Sequence, residues 1–312
     1  MTTPTSGPRT GNRLRDGHRH RTALLVVALA ALSTLLAGCG GDPAPAATGA
    51  QQAAYDKSLH DLLPEAVKQS GVLRVGTDAS YAPMSMYAPD GRTILGVEPD
   101  LGAELGRVLG VEVRFVNADF TSILAKVADG RLDLGMSAIT DTREREREVD
   151  FVNYFRAGTA IVVQRGNPAG VTDISDLCGR VVAVEQGTTQ VDLLHRAQRN
   201  CDRPMRVRGY PTNSDALLQL RTGRAAAVLN DLPPAAFLAT DKRTAGQYQL
   251  ASTAQYEPGL YGVAVARDKQ GLRDAVQGAL EDLVAGDVYG DVLGRWGITE
   301  GAVDEVTVNS GT

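Results

Sequence analysis

Hydrophobic residues recur along the chain with two spacings, one typical of buried strands and one typical of amphipathic helices. In residues 100–109 apolar side chains lie three or four positions apart and Gly110 follows, which predicts a helix that ends in a left-handed glycine. Such alternation of strands and helices predicts parallel sheets flanked by helices. The predicted strands are 73–77, 111–116, 133–138, 181–184, 205–210 and 226–229, and the other predicted helices are 120–128, 215–221 and one after Gly187.

Two stretches of this pattern resemble each other like a short internal repeat. Gly130-Arg131 and Gly223-Arg224 each open a predicted strand, and Ser137 or Asn230 follows the glycine by seven residues. Together with the repeated order of elements, this short repeat predicts two similar α/β lobes. Ligands of open parallel sheets bind beyond the carboxyl ends of the strands, so a site is expected in the turns there. These turns are 77–81, 137–140, 186–190 and 230–231.

The first 38 residues differ from the rest in their charge and hydropathy. Five arginines lie between Arg9 and Arg21, and an uncharged run rich in Leu, Val and Ala follows over 22–38. This layout predicts a secretory signal peptide, because the run is too short for a comfortable transmembrane span. It ends in LAGC, which is similar to the bacterial lipobox. We therefore predict a lipoprotein signal peptide over 1–38 and acylation of Cys39, for example with palmitate, with an uncleaved membrane anchor as the alternative.

Composition excludes several classes of protein. The 312 residues are 43% hydrophobic and 22% charged, unlike collagen-like, disordered or multi-spanning proteins. The net charge is −5, so nucleic-acid binding is not expected. Residues 1–38 hold five Arg and one Asp, a charge of +4, which leaves −9 for the remainder. Membrane attachment would then depend on the lipid. Residues 40–54, rich in Ala, Pro, Gly and Gln, predict a flexible tether, for which we assign 39–69.

Two cysteines, Cys178 and Cys201, remain for the exported domain. In an oxidising compartment the simplest prediction is a disulfide, worth about 3 kcal/mol in the chain-entropy model. A metal site would need more ligands than His195 supplies, and no Cys–His–Asx arrangement for a catalytic thiol is visible. We expect no metal and no cofactor.

Two of the expected turns carry groups that favour an anion. Thr188, Thr189 and Gln190 open a predicted helix, where backbone N–H groups attract negative charge, although plain helix capping is an equal alternative. An arginine could clamp a carboxylate with two parallel hydrogen bonds, although most alternating charge runs are solvated helix faces. The candidate run contains Arg143, Arg145 and Arg147.

Acidic residues end two other strands. Asp78 and Asp231 are available for an ammonium group, and Tyr81 offers an aromatic face for a cation or a hydrocarbon chain. An aspartate at a strand end also commonly caps a turn. Opposite charges at the turns together indicate a site for a zwitterion.

Residues 73–83, LRVGTDASYAP, resemble the opening of the family 3 extracellular solute-binding proteins, the polar-amino-acid receptors of ABC importers. Further motifs similar to the family's follow in its order, so the resemblance covers about 72–298. They are GVEPDL at 96–101, GRLD at 130–133, IT at 139–140, DF at 150–151, VEQGTTQ at 184–190 and the helix at 289–296.

The resemblance implies a periplasmic-binding-protein-like type II fold, in which two α/β lobes joined by a two-strand hinge close on a ligand. It places lobe 1 at 70–160 plus 262–305 and lobe 2 at 164–258. The crossings are expected near 160–163 and 259–263.

The resemblance also implies roles for individual residues. Asp231 corresponds to the acid that holds the α-ammonium group. For the carboxylate both Arg143 and Arg145 remain open, and we favour Arg145 because residues 140–145 match a longer variant of the motif. Many members have Ser or Thr where Ala138 stands, so Ser137 or a backbone N–H is expected to substitute. The predicted ligand-binding set is Asp78, Tyr81, Ser137, Ala138, Arg145, Thr188, Thr189, Gln190 and Asp231, with no catalytic residue.

The function implied is that of a monomeric receptor, lipid-anchored on the extracytoplasmic side of the cell membrane, that delivers a polar amino acid to an ABC permease and its ATPase. The alternative is a cyclohexadienyl dehydratase-like enzyme on the same fold, with Glu98, Glu185 and Asp231 as candidate acids or bases. A sensor input domain is a third hypothesis, disfavoured because no transmembrane or signalling segment is visible after the domain. Asp78, Asp231 and Glu98 favour a cationic ligand, yet the family also binds glutamine, glutamate, cystine and histidine.

Overall fold

Helices and strands alternate throughout residues 53–312, which are the residues that the computed structural model describes. Cys39 and the predicted signal peptide lie outside this range. The first elements are α1 (Lys57–Asp61), α2 (Glu65–Ser70), β1 (Val72–Thr77), β2 (Ser80–Tyr81), β3 (Ser85–Tyr87), β4 (Ile94–Leu95), α3 (Val97–Leu109), β5 (Glu112–Asn117), α4 (Phe120–Ala128), β6 (Leu134–Gly135) and β7 (Val149–Gln164). They are followed by β8 (Val181–Glu185), α5 (Thr189–Ala197), β9 (Arg206–Tyr210), α6 (Asn213–Arg221), β10 (Ala227–Asp231), α7 (Leu232–Thr240), β11 (Tyr248–Leu250), β12 (Tyr256–Ala266), α8 (Gln270–Ala285) and α9 (Val288–Trp296).

Two long antiparallel strands, β7 and β12, connect two groups of parallel strands. The order across the sheet is β5-β1-β6-β12-β7-β10-β8-β9, and β11 pairs with β7. β1 runs parallel to β5 and β6, and β8 runs parallel to β9 and β10. β7 pairs with β12 as far as Thr159 and with β10 from Thr159 onward. The chain therefore has the predicted α/β class, with two lobes joined by two strands.

Each lobe buries apolar helix faces against its own strands. In lobe 1, α3, α8 and α9 cover one face of the sheet and α4 covers the other. In lobe 2, α6 and α7 lie on one face and α5 on the other. Each fully buried Leu or Val contributes about 1.5–3 kcal/mol relative to an exposed one, so these layers hold the strand ends in place. Representative core residues are Leu101, Val276, Leu280, Ile123, Leu193 and Leu220.

Residues 57–70 differ from the predicted tether, because they fold onto lobe 1 as α1 and α2. Leu63 and Val67 are buried, and the backbone N–H of Asp56 donates to the Val108 carbonyl at 2.9 Å. Asp56 also caps α1, accepting a hydrogen bond from the backbone N–H of Ser58 at 2.6 Å. The reason is a stripe of apolar residues four apart, which includes Leu59 and supplies a core-facing side that the preceding Ala- and Pro-rich residues lack.

The strand predicted over 133–138 is also shorter, since β6 ends at Gly135. The chain turns away at Ala138, whose φ of +46° lies in the left-handed region. A tertiary hydrogen bond holds this turn: the Ala138 N–H donates to Glu98 Oε1 at 2.5 Å. The local pattern of residues does not contain that partner.

Cys178 and Cys201 form the predicted disulfide. The bond joins the segment before β8 to the segment after α5. Within the described part of the chain, no helix is long and apolar enough to cross a membrane.

Candidate functional site

Side chains from both lobes line a small cavity at the carboxyl ends of the strands. Its volume is about 20 Å³, little more than one water molecule needs. All nine residues predicted to bind a ligand line it, and the sequence-based set lacked the other three. The lining residues are Asp78, Tyr81, Phe120, Ser137, Ala138, Thr140, Arg145, Glu185, Thr188, Thr189, Gln190 and Asp231.

In lobe 1, the ends of the neighbouring strands β1 and β6 bring Asp78 and Ser137 together. The backbone N–H of Asp78 donates to Ser137 Oγ at 2.8 Å, and Asp78 Oδ1 accepts from the backbone N–H of Ser80 at 2.8 Å. The side chains of Ser137 and Asp78 therefore both lie at the cavity wall.

Glu98 supports this wall from behind and does not line the cavity. Its carboxyl group accepts hydrogen bonds from Tyr154 Oη at 2.5 Å, Ser85 Oγ at 2.7 Å and the Ala138 N–H. Burial raises the pKa of Glu98. Two expectations change as a result: the Ala138 N–H is engaged within the protein, and Glu98 lies behind the cavity wall.

Arg145 is the arginine of its run that lines the cavity. Nη1 donates to the Thr140 carbonyl at 2.7 Å, and Nη2 reaches across to lobe 2 and donates to the Gly187 carbonyl at 2.8 Å. The guanidinium carbon lies 5.7 Å from the centre of the Phe120 ring. Burial lowers the pKa of Arg145, which stays protonated because guanidinium is a very weak acid. Arg143 and Arg147 are exposed.

The short 3₁₀ turn over Arg145–Arg147 explains why neighbouring arginines differ so much. It turns the Arg145 side chain inward, whereas Arg143 points to solvent and pairs with Glu146 at 3.7 Å. Of the two positions that the sequence left open, the structure thus brings Arg145 to the cavity.

In lobe 2, the turn between β8 and α5 presents the start of a helix to the cavity. Thr188 precedes the first residue of α5, and its Oγ1 donates to the Glu185 carbonyl at 2.8 Å. Gly187 has a φ of +74°, a conformation that glycine adopts without strain. Gln190 Nε2 donates to Asp231 Oδ1 at 2.6 Å. The free N–H groups at this helix start favour a bound anion.

Tyr81 and Asp231 connect the two lobes directly. The Tyr81 hydroxyl donates to Asp231 Oδ2 at 3.1 Å and accepts from the Asp231 N–H at 2.8 Å. Burial raises the pKa of Asp231 to about 6, opposed by the hydrogen bonds it accepts. Burial also raises the pKa of Tyr81, so the hydroxyl keeps its proton. Asp231 is thus a desolvated carboxyl group held at the centre of the site.

Glu185 is the acidic residue that the predicted binding set lacked. It is the last residue of β8, 6% exposed, and its Oε1 has no hydrogen-bond partner. Burial, and then the neighbouring Asp78, raise the pKa of Glu185 to about 10. Its place at a strand end, two residues before Gly187 of the Gly-Thr-Thr-Gln turn, is the sequence signal that could have added it to the binding set.

Comparison with known proteins assigns the chain to a family. Residues 73–299 match the family described as bacterial extracellular solute-binding proteins, family 3. The chain belongs to this family. The match spans both lobes and every residue that lines the cavity.

Individual relatives cover most of the chain. The arginine-binding protein ArgT of Corynebacterium glutamicum is 31% identical over 303 residues, which is 93% of this chain and 96% of ArgT. Among solved structures, holo ArgBP from T. maritima is 28% identical with a TM-score of 0.65, covering 75% of this chain and 99% of ArgBP. The ancestral amino acid-binding protein AncCDT-1, a precursor of cyclohexadienyl dehydratase, is 29% identical with a TM-score of 0.67, covering 74% and 98%.

The donor set of the cavity suits an organic ion. Hydroxyl, amide, guanidinium and carboxyl side chains line it, and the carboxyl groups come from both lobes. Within residues 53–312, no three His, Cys, Asp or Glu side chains are placed to hold a metal ion together.

Proposed function

We propose that the protein is a receptor that binds an amino acid between its lobes and passes it to an ABC importer. One observation carries this proposal: the half-buried Arg145 and the buried Asp231 line the same small cavity, from opposite lobes. An α-amino acid carries the two complementary charges on groups bonded to the same carbon atom. The names of relatives such as ArgT support an amino acid as the ligand.

Arg145 and the start of α5 would hold the α-carboxylate. The guanidinium uses two N–H groups for the carbonyls of Thr140 and Gly187, which leaves donors for a ligand. Thr188 and Thr189 add the N–H groups of the first helical turn. Charge-assisted bonds of this kind are roughly twice as strong as neutral ones.

Asp231 would hold the α-ammonium group. It is desolvated, and its present partners, Tyr81 and Gln190, are neutral. A buried carboxylate with only neutral partners gains most from a cation. Asp78 lies on the facing lobe as a second acceptor.

Access to the cavity requires the lobes to separate, because its volume of about 20 Å³ is far below that of an amino acid. A groove of about 560 Å³ adjoins it and shares Thr140, Arg145, Thr188 and Thr189 with it. The strands β7 and β12 are the covalent connection about which lobe 1 (70–160 plus 262–305) and lobe 2 (164–258) would turn.

The cellular setting is part of the proposal. Acylation of Cys39 after removal of 1–38 would anchor the receptor on the extracytoplasmic side of the membrane, since the LAGC sequence is similar to a lipobox. A permease and an ATPase would be its partners. The receptor would act as a monomer.

A thermal-shift screen of the twenty amino acids, cystine and opines tests this function. At least one polar L-amino acid should raise the Tm, because a ligand bound only by the folded state stabilises that state. Arg145→Ala should abolish the shift, whereas Arg147→Ala, an exposed arginine two residues along, should keep it. If Arg143→Ala removes the shift instead, the assignment of the clamp is wrong. If no compound shifts the Tm, or if a compound is converted to product, the receptor function is refuted.

A further inference from the structure

The charges that line the cavity do not balance for an amino acid with a neutral side chain. Among the twelve lining residues, Asp78, Glu185 and Asp231 are acidic and Arg145 is the single cation. On the proposed function, the ligand carboxylate compensates Arg145 and the α-ammonium compensates Asp231. Asp78 and Glu185 are then left facing each other without a positive partner.

Glu185 is the more exceptional of the two. Its side chain is 6% exposed, and Oε1 is buried with no hydrogen-bond donor in reach. Its backbone carbonyl is used by Thr188, so only the carboxyl group is free. Buried polar atoms are nearly always paired, so an orphaned acceptor on a cavity wall indicates a group that arrives from outside.

The other buried carboxyl groups nearby show what Glu185 lacks. Glu98 accepts bonds from Tyr154, Ser85 and the Ala138 N–H, and Asp231 accepts from Tyr81 and Gln190. Burial and the neighbouring Asp78 raise the pKa of Glu185 to about 10, so this carboxyl group keeps its proton without a ligand, and an arriving cation would favour its ionised form.

We propose that Asp78 and Glu185 form a subsite for a cationic side chain, so that the receptor is selective for basic L-amino acids, and for arginine in particular. This inference rests on the proposed function. A guanidinium group presents its donors in a planar fork that serves two carboxylates at once. Lysine offers a compact charge to the same pair and is expected to bind more weakly. Glu185 is the specificity-determining residue, and Asp78 is its partner from the facing lobe.

Calorimetric titration with L-arginine and L-citrulline tests the subsite. Citrulline has nearly the same shape and keeps N–H donors, but its side chain is uncharged. The wild-type protein should bind arginine about 10- to 100-fold more tightly, which corresponds to about 1.4–2.8 kcal/mol, the range typical of hydrogen bonds to charged groups. Glu185→Gln, which keeps shape and removes charge, should weaken arginine binding about tenfold or more and leave citrulline binding unchanged or improved.

Glu112→Gln is the matched control, because Glu112 lies on the exposed strand β5 and pairs with Arg114 alone. It should bind both compounds as the wild type does. Equal affinity of the wild type for arginine and citrulline overturns the subsite. Unchanged arginine affinity in a folded Glu185→Gln protein, verified by its melting transition, overturns the role of Glu185. In both cases an amino acid still binds, whereas failure of the receptor function would appear as no binding of any amino acid.

Discussion

At the scale of single residues, the buried carboxyl groups differ in how completely the protein supplies them with donors. Glu98 has several donors and supports a turn, whereas Glu185 has none at Oε1 and faces the cavity. Asp141 is intermediate in this respect, because only one of its two carboxylate oxygens accepts hydrogen bonds. Its Oδ2 accepts from Asn153 Nδ2 and from the Ser310 N–H, each at 3.0 Å, while Oδ1 is buried without a partner. Partial pairing of this kind makes Asp141 sensitive to pH.

The effect of Asp141→Asn on the stability of the folded state should be more favourable at neutral pH than at acidic pH. Burial, and to a smaller extent the nearby Glu146, raise the pKa of Asp141 from 3.8 to about 6. The folded state therefore holds a proton that the unfolded chain has lost, and the resulting stability is full below about pH 4 and is lost as pH rises through 6. Asparagine does not ionise. The Tm difference between variant and wild type should grow in the variant's favour from pH 4.5 to 7.5, by a few degrees.

Differential scanning calorimetry across that pH range measures the effect. Asp268→Asn serves as the control, since Asp268 is exposed and pairs with Lys269 at the surface. Its Tm difference from the wild type should stay level. A level difference for Asp141→Asn as well would show that Asp141 ionises normally in the folded state.

At the scale of elements, the segment 306–311 holds the turn that carries Arg145. The Asn309 N–H donates to the Phe151 carbonyl at 3.0 Å, and Asn309 Oδ1 accepts from the Phe151 N–H at 2.8 Å. Gly311 N–H donates to Glu146 Oε1 at 3.0 Å, within the 3₁₀ turn itself. An arginine that is to clamp a ligand needs such support, because small displacements weaken directional bonds.

Asn309→Ala should weaken both stability and ligand binding. It removes the bond to the Phe151 N–H and places alanine at a φ of +51°, where asparagine is better tolerated. We expect a loss of about 1–3 kcal/mol in the free energy of unfolding. Arginine binding, if the proposed function holds, should weaken severalfold, because the segment that supports the turn of Arg145 loses a hydrogen bond to Phe151.

Chemical denaturation and calorimetric titration with L-arginine measure these two effects. Asn200→Ala, an exposed position in lobe 2, is the control and should change neither. Lower stability with unaltered affinity would show that the segment 306–311 does not support ligand binding.

At the scale of the whole molecule, two sets of polar contacts hold the lobes together around the cavity. Tyr81 bonds to Asp231, and Arg145 bonds to the Gly187 carbonyl. These contacts compete with a ligand, because the same groups are the proposed ligand contacts. The lobes therefore close either on each other or on a ligand, and the same donors and acceptors are used in both cases.

Tyr81→Phe should shift the ligand-free molecule toward an open arrangement. It removes the hydroxyl that both donates to and accepts from Asp231. Bonds to charged groups are worth about 1.5–3 kcal/mol, so the ratio of closed to open molecules should fall at least about tenfold. Small-angle X-ray scattering should show a larger radius of gyration than for the wild type.

Tyr87→Phe is the control, since Tyr87 is exposed on the small sheet β2–β3–β4. Saturating L-arginine should return the Tyr81→Phe protein toward the compact form. An unchanged radius in the ligand-free variant would show that the Tyr81–Asp231 contact does not hold the lobes closed.

The sequence by itself determined many of the strands and helices, although not α1, α2, α7 or α8, and it determined the turns that face the cavity, the cysteine pairing and the membership of the family. These follow from local periodicity and from motifs, which are properties of neighbouring residues. The nine residues predicted from the turns lie together because the carboxyl ends of parallel strands meet at one edge.

Only the tertiary structure decided which groups are already paired and which are free. Arg145 faces the cavity and Arg143 faces solvent because a 3₁₀ turn, the Gly187 carbonyl and the Phe120 ring hold the former inward. Glu98 is satisfied and Glu185 is orphaned, although both are buried acids within family motifs. Residues 57–70 fold because lobe 1 offers them an apolar surface. Each outcome depends on partners far away in the chain, and no local pattern contains them.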